Sequence, residues 1–166
     1  FFPEEGKYHY DGHRNCKVRW SPEETKKRNG LCSVCLKPVT VGVMNRVDKL
    51  ADRENGFQPQ NAIPFRNIIP LQEIIAEALG KGVNTKGVQS EYLTAVAKFG
   101  SEFKILLDVP DDELRQGLEP KIANGIIAVR QGKVNIAPGY DGEFGKIRIF
   151  GEQEEVRPIQ EQDGLF

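Results

Sequence analysis

The sequence predicts an α+β fold: a small module built on paired cysteine and histidine residues, followed by a mainly helical domain with a terminal β-hairpin. Three observations predict it. Two pairs, His13-x-x-Cys16 and Cys32-x-x-Cys35, lie near the amino terminus. From Leu71 to Arg130, apolar residues recur at three- and four-residue steps, the period of a buried helix face. Lys133–Ile136 and Lys146–Phe150 then read as two strands around the turn Pro138-Gly-Tyr-Asp-Gly-Glu-Phe-Gly145. The expected divisions are 1–58 for the first module, 59–150 for the helical domain with its hairpin, and 151–166 for a flexible acidic tail.

The first module is read around its four candidate ligands. A two-residue gap lets one turn present both members of a pair to a single ion, and zinc takes four ligands in a tetrahedron. Fifteen residues separate Cys16 from Cys32, which is the zinc-ribbon arrangement. One structural zinc held by His13, Cys16, Cys32 and Cys35 is therefore expected. His9 is the rival for the fourth place; the x-x spacing favours His13. An open catalytic zinc keeps three protein ligands, so four good ligands argue for a closed site. The bland alternative makes Cys16 a small buried hydrophobe and His13 a surface residue. Three cysteines cannot pair fully as disulfides, and Cys32-x-x-Cys35 lacks the strand-to-helix setting of a redox pair.

Between the pairs, Lys17-Val-Arg-Trp20 alternates like a strand. Ser21-Pro-Glu-Glu24 starts a short helix, with Ser at N-cap, Pro at N1 and an acid at N3, and Asn29-Gly30 ends it. Beyond the second pair, Val39–Met44 is β-branched and reads as a returning strand. Val47–Arg53 has helical spacing, closed by Asn55-Gly56, and a proline-punctuated linker follows from Gln58 to Asn67.

In the helical domain, Leu71, Ile74, Ile75, Ala78 and Leu79 share one face, with Gly80 as the stop. A second helix is expected from Thr85 to Phe99, a short one from Ser101 to Leu107, another starting at Pro110, and a last from Glu119 to Arg130. In the last, Ile122, Ile126, Ile127 and Val129 are expected to be buried.

With 39% hydrophobic and 28% charged residues and a net charge of −1, the composition is that of a globular protein without a global pull towards polyanions. No window approaches the roughly 20 apolar residues that span a bilayer, so a soluble cytoplasmic protein with no membrane partner is expected. The chain opens Phe1-Phe2-Pro3, not with Met, and reads as the carboxy-terminal part of something longer.

Four strings resemble the carboxy-terminal half of the endonuclease Q family: Gly6-Lys-Tyr-His-Tyr-Asp-Gly-His-Arg-Asn-Cys16, Arg46-Val-Asp-Lys-Leu-Ala-Asp-Arg53, Asn61-Ala-Ile-Pro-Phe-Arg66 and Pro138–Ile147. The resemblance implies an amino-terminal PHP domain that carries the catalytic metal cluster, followed by a zinc-binding module and a helical domain. It also implies incision of DNA 5′ to a deaminated base, uracil or hypoxanthine, or to an abasic site. This chain lacks the residues for such a cluster, since the zinc site takes every cysteine and one of two histidines. On its own it is expected to grip DNA and read lesions without cutting.

The residues give that role local support. Lys7, His9, Tyr10 and Arg14 interleave cations with aromatic rings, and Arg46, Arg53 and Arg66 extend the series. Asp11 is a candidate acceptor for the N–H that distinguishes a deaminated base, with the capping of a turn as its duller alternative. The last five residues, Gln162-Asp-Gly-Leu-Phe166, resemble the peptide that binds the bacterial sliding clamp, with Gln162, Leu165 and Phe166 as anchors. The expected partners are thus lesion-bearing DNA, the PHP domain and the clamp. From a different class, the alternative is a zinc-stabilised protein-interaction module that docks a helicase or nuclease.

Overall fold

The computed structural model describes residues 1–54 and 56–151. It is mixed α and β, mostly helical, with two small antiparallel hairpins. In chain order the elements are β1 (Asp11–His13), β2 (Val18–Trp20), α1 (Pro22–Lys27), α2 (Val43–Leu50), α3 (Leu71–Leu79), α4 (Lys86–Phe99), α5 (Glu102–Leu107), α6 (Asp111–Gly117), α7 (Pro120–Arg130), β3 (Asn135–Ala137) and β4 (Lys146–Arg148). Single 3-10 turns lie at Pro3–Glu5 and Arg14–Cys16. Among the described residues, no helix is long and apolar enough to cross a membrane.

Local signals place most elements. At α1, Ser21 Oγ accepts the Glu24 N–H and the Glu24 carboxylate accepts the Ser21 N–H, a complete capping box. Gly80 closes α3 in the left-handed conformation (φ 62°). The N-cap of α3, Pro70, brings no capping side chain, and Glu102 of α5 serves instead. One Glu102 oxygen accepts the Leu71 N–H at 2.8 Å and the other accepts the Tyr92 hydroxyl at 3.1 Å.

The main core gathers α3 to α7. Leu71, Ile74, Ile75, Val88, Ile105, Leu114, Ile122 and Ile126 are sealed from solvent, and each such side chain contributes about 1.5–3 kcal/mol by burial. Phe2 and Ile149 belong to the same core. Arg130 ties α5 to α6: its guanidinium donates to the carbonyls of Ile105, Leu106 and Val109 and pairs with Asp111. Val18, Trp20, Cys32 and Val39 form a second, much smaller cluster, with Cys16 and Cys35 against it.

Two expectations are corrected. Val39–Met44 is not a strand; Thr40 makes one bridge to Gly12, and at Gly42 the chain turns into α2. That helix starts at Val43 and ends at Leu50, where the sequence suggested Val47–Arg53. The reason is a long-range cap. Asp11 accepts the Gly42 N–H at 2.6 Å and the Asn45 side-chain amide at 2.8 Å, so a buried carboxylate in β1 overrides local β-propensity.

The β3–β4 hairpin pairs Asn135 with Arg148 and Ala137 with Lys146. Its turn reaches back to the first residues of the chain. Gly139 donates to the Glu4 carbonyl and accepts the Tyr10 N–H, while Gly142 donates to Lys7 and Gly145 to Glu5.

Candidate metal centre and nucleic-acid face

The two ligand pairs are presented by similar turns. His13 ends β1, Cys16 closes the 3-10 turn behind it, and β2 returns antiparallel beside β1. The second turn is closed by the Cys32 N–H donating to the Lys37 carbonyl and the Leu36 N–H to that of Cys32. In both turns the residue after the second cysteine is left-handed, Lys17 at φ 53° and Leu36 at φ 58°. A positive φ is costly for these residues. It recurs at equivalent places, so the two turns share one backbone geometry.

The four donor atoms of His13, Cys16, Cys32 and Cys35 lie within 4.8 Å of one another and can hold one metal ion. His13 Nδ1 sits 3.2 Å from Cys35 Sγ. His9, the rival ligand, lies outside the cluster, with its ring 5.2 Å from that of Tyr10. Burial opposes charge on Cys32, yet N–H donors from the Cys35 and Val34 backbone and a contact with His13 bring its pKa down to about 6. Burial, then hydrogen bonds with Cys35 and Cys32, push Cys16 up to about 11. Cys16 and Cys32 are thus shifted in opposite directions, and a bound cation would hold its cysteine ligands as thiolates.

Close approach surrounds this centre. A Cβ on Gly12 would meet Tyr140 Cδ2 and the Val18 carbonyl, each at 2.4 Å, so only glycine lets the hairpin turn lie on β1. Asp11 is wholly buried, with both oxygens engaged. That is the capping alternative, and the burial of the carboxylate leaves no exposed oxygen for a base edge.

The turn 138–145 assembles a second feature. Asp141 accepts the Arg14 N–H and the Thr40 hydroxyl, both at 2.6 Å. Burial would raise its carboxyl, but those bonds, with Arg14 and His13 nearby, leave it below the usual range. Lys7 Nζ lies 4.4 Å from the centroid of the Phe144 ring, and Arg19 lies over Tyr140 at 5.9 Å. A Cβ at Gly142 would stand 3.5 Å from Arg14 Nη1 and 3.6 Å from the Tyr8 hydroxyl, so both converge on this turn.

Residues 70–133 match the family model described as the MJ0043 C-terminal domain. Over 145 residues, the chain is 39% identical to the uncharacterized protein MJ0043 of Methanocaldococcus jannaschii, covering 87% of this chain and 18% of that protein. It is 29% identical over 119 residues to YqxK of Bacillus subtilis, covering 70% of this chain and 27% of that one. Among solved structures, PfuEndoQ, a lesion-specific endonuclease of Pyrococcus furiosus, superposes at TM-score 0.77 with 31% identity, over 95% of this chain and 38% of its own. The chain resembles the carboxy-terminal half of endonuclease Q. An endonuclease Q complex with a 27-mer duplex carrying an abasic lesion agrees at TM-score 0.68 with 31% identity, over 94% of this chain and 40% of that one. The chain therefore spans about two-fifths of the endonuclease Q structures and less than a third of the two relatives.

Within this endonuclease Q-like fold, the sequence-derived cations separate. Lys7 and Arg14 are exposed and meet at the 138–145 turn, and the half-buried His9 and Tyr10 lie behind them. Arg46 is exposed on α2. Arg53 lies over Phe57 at 4.8 Å and pairs with Asp52 at 3.7 Å. Arg66 is exposed in the stretch before α3. Among the described residues, no hydrogen bond, ion pair or ring contact joins Arg53 or Arg66 to Lys7 or Arg14. Tyr140, Asp141 and Phe144 were not singled out from sequence, where their segment read as a hairpin turn and as one of the strings that resemble the family. The available signal was the aromatic and acidic residues between its glycines. Gln162, Leu165 and Phe166 lie outside the described residues.

Proposed function

We propose that this chain is the DNA-binding and lesion-recognising portion of a DNA-repair endonuclease that nicks 5′ to deaminated bases or abasic sites in the cytoplasm. Catalysis belongs to an amino-terminal PHP domain of the same protein. The observation that carries the reading is the superposition on an endonuclease Q bound to a duplex with an abasic lesion. Lys7 and Arg14, exposed beside the anchored 138–145 turn, supply phosphate contacts. The metal ion is one zinc, because three thiolates and an imidazole are its preferred closed donor set. Its role is structural: it fixes the two turns that set Arg14 and β1 in place.

The test is equilibrium binding of the chain to a short duplex across a salt series. Replacing both cations, Lys7→Glu with Arg14→Glu, is expected to weaken binding roughly ten-fold or more and to lower the log–log salt slope by about two. An unchanged slope would remove these residues from the interface.

A second surface supports the protein-interaction reading as a companion to the first. Val43, Val47 and Leu50 form an exposed apolar stripe on α2, at 60%, 48% and 64% exposure, a pattern that ordinarily faces a partner. The PHP domain is the proposed occupant. The terminal Gln162-Asp-Gly-Leu-Phe166 is proposed to recruit the bacterial sliding clamp. Deleting Leu165 and Phe166 is expected to abolish clamp binding in a pull-down with purified clamp, and undiminished binding would discard that role.

A further inference from the structure

Large apolar side chains exposed singly are ordinary, so Phe144, at 68% exposure, signifies little alone. Its setting is what matters. The turn that carries it is pinned on both sides. Gly139 and Gly145 donate to Glu4 and Glu5, Gly142 donates to Lys7, and Tyr10 donates to Gly139. Asp141 clasps Arg14 and Thr40 from the middle of the turn. These bonds fix the backbone from which the ring projects. The cation of Lys7 rests over it at 4.4 Å, while Arg14 and Tyr8 converge one step away at Gly142. Asp141 accepts the backbone N–H of Arg14, and among the described residues the Arg14 guanidinium makes no hydrogen bond or ion pair of its own.

An exposed ring with one cation over it and a second beside the same turn is an arrangement that can bind an unstacked base. The ring offers a π-face, and the cations take the phosphates on either side. A pinned turn adds affinity because little main-chain freedom is lost on binding. A paired base inside an undamaged duplex offers no open face, whereas a base beside an abasic gap does.

We infer that Phe144 stacks on an unpaired or extruded base of bound DNA, with Lys7 and Arg14 holding the adjacent phosphates. This rests on the DNA-binding reading above and adds to it the residue that distinguishes open from paired bases. Two duplexes of one sequence, one with an abasic site beside 2-aminopurine and one intact, test it on the full chain. Wild type is expected to quench the 2-aminopurine on binding. Phe144→Ala should lose that quenching and roughly ten-fold in affinity for the lesion duplex, while holding the intact duplex as before. Phe144→Trp should restore both signals, and Phe144→Leu, which keeps apolar bulk without a π-face, should not. Equal behaviour of the Leu variant and wild type would overturn the stacking role, as would a Phe144→Ala variant that still quenches. Equal losses on both duplexes would overturn it too, by showing a general role for the side chain. Wild type binding neither duplex would overturn the DNA-binding reading itself, and this inference with it.

Discussion

Stripping the metal from the folded chain is expected to unfold the segment from β1 through α2 while α3 to α7 stay folded. The cluster Val18, Trp20, Cys32 and Val39 is too small to hold a module of this size without a cross-link. Structural zinc contributes about 10–16 kcal/mol of apparent folding free energy in small zinc modules, whereas the gain from burying four side chains is largely offset by the entropy of ordering the backbone around them. The helical part keeps its own extensive core. Trp20 is the chain's single tryptophan and lies in the small cluster, so its emission reports this module alone. On chelation, the emission should shift to the red while most far-ultraviolet helical signal persists. Cys32→Ser should behave as the chelated protein does. Unshifted emission after proven metal loss would show that the module folds without an ion.

The next largest effect is expected at Asp11. Asp11→Ala removes the buried acceptor for the Gly42 N–H and the Asn45 amide, at about 3 kcal/mol of stability, since a helix cap and a charge-assisted bond are lost together. Asp11→Asn keeps one acceptor and should lose less. Because Asp11 is sealed inside, Asp11→Asn should leave discrimination between lesion and intact DNA unchanged. Urea midpoints measure the first expectation, and competition binding the second. A stable Asp11→Ala variant would remove the cap from the account.

These two sites also show what a sequence reveals and what it withholds. The His13, Cys16, Cys32 and Cys35 cluster was legible because the x-x gap is a local constraint, satisfied within each turn. Ser21 and Glu24 were legible for the same reason, as were the helix faces carrying Ile74, Ile122 and Ile126. Resemblance supplied the wider functional reading before any geometry was considered. The start of α2 was hidden because its cap comes from Asp11, 31 residues before Gly42. The three-residue β1 has no alternation to betray it. The aromatic-basic face was hidden further still. It forms when Asp141 meets the Arg14 backbone 127 residues away, a pairing that no local pattern encodes.

The central claim is that this chain reads damage in DNA, and one comparison tests it most directly. The purified chain would be titrated against two duplexes identical except for one abasic site, at the same salt concentration. The account predicts tighter binding to the lesion duplex, with affinity for both falling as salt rises. Equal affinity for the two, or no binding to either at low salt, would contradict it.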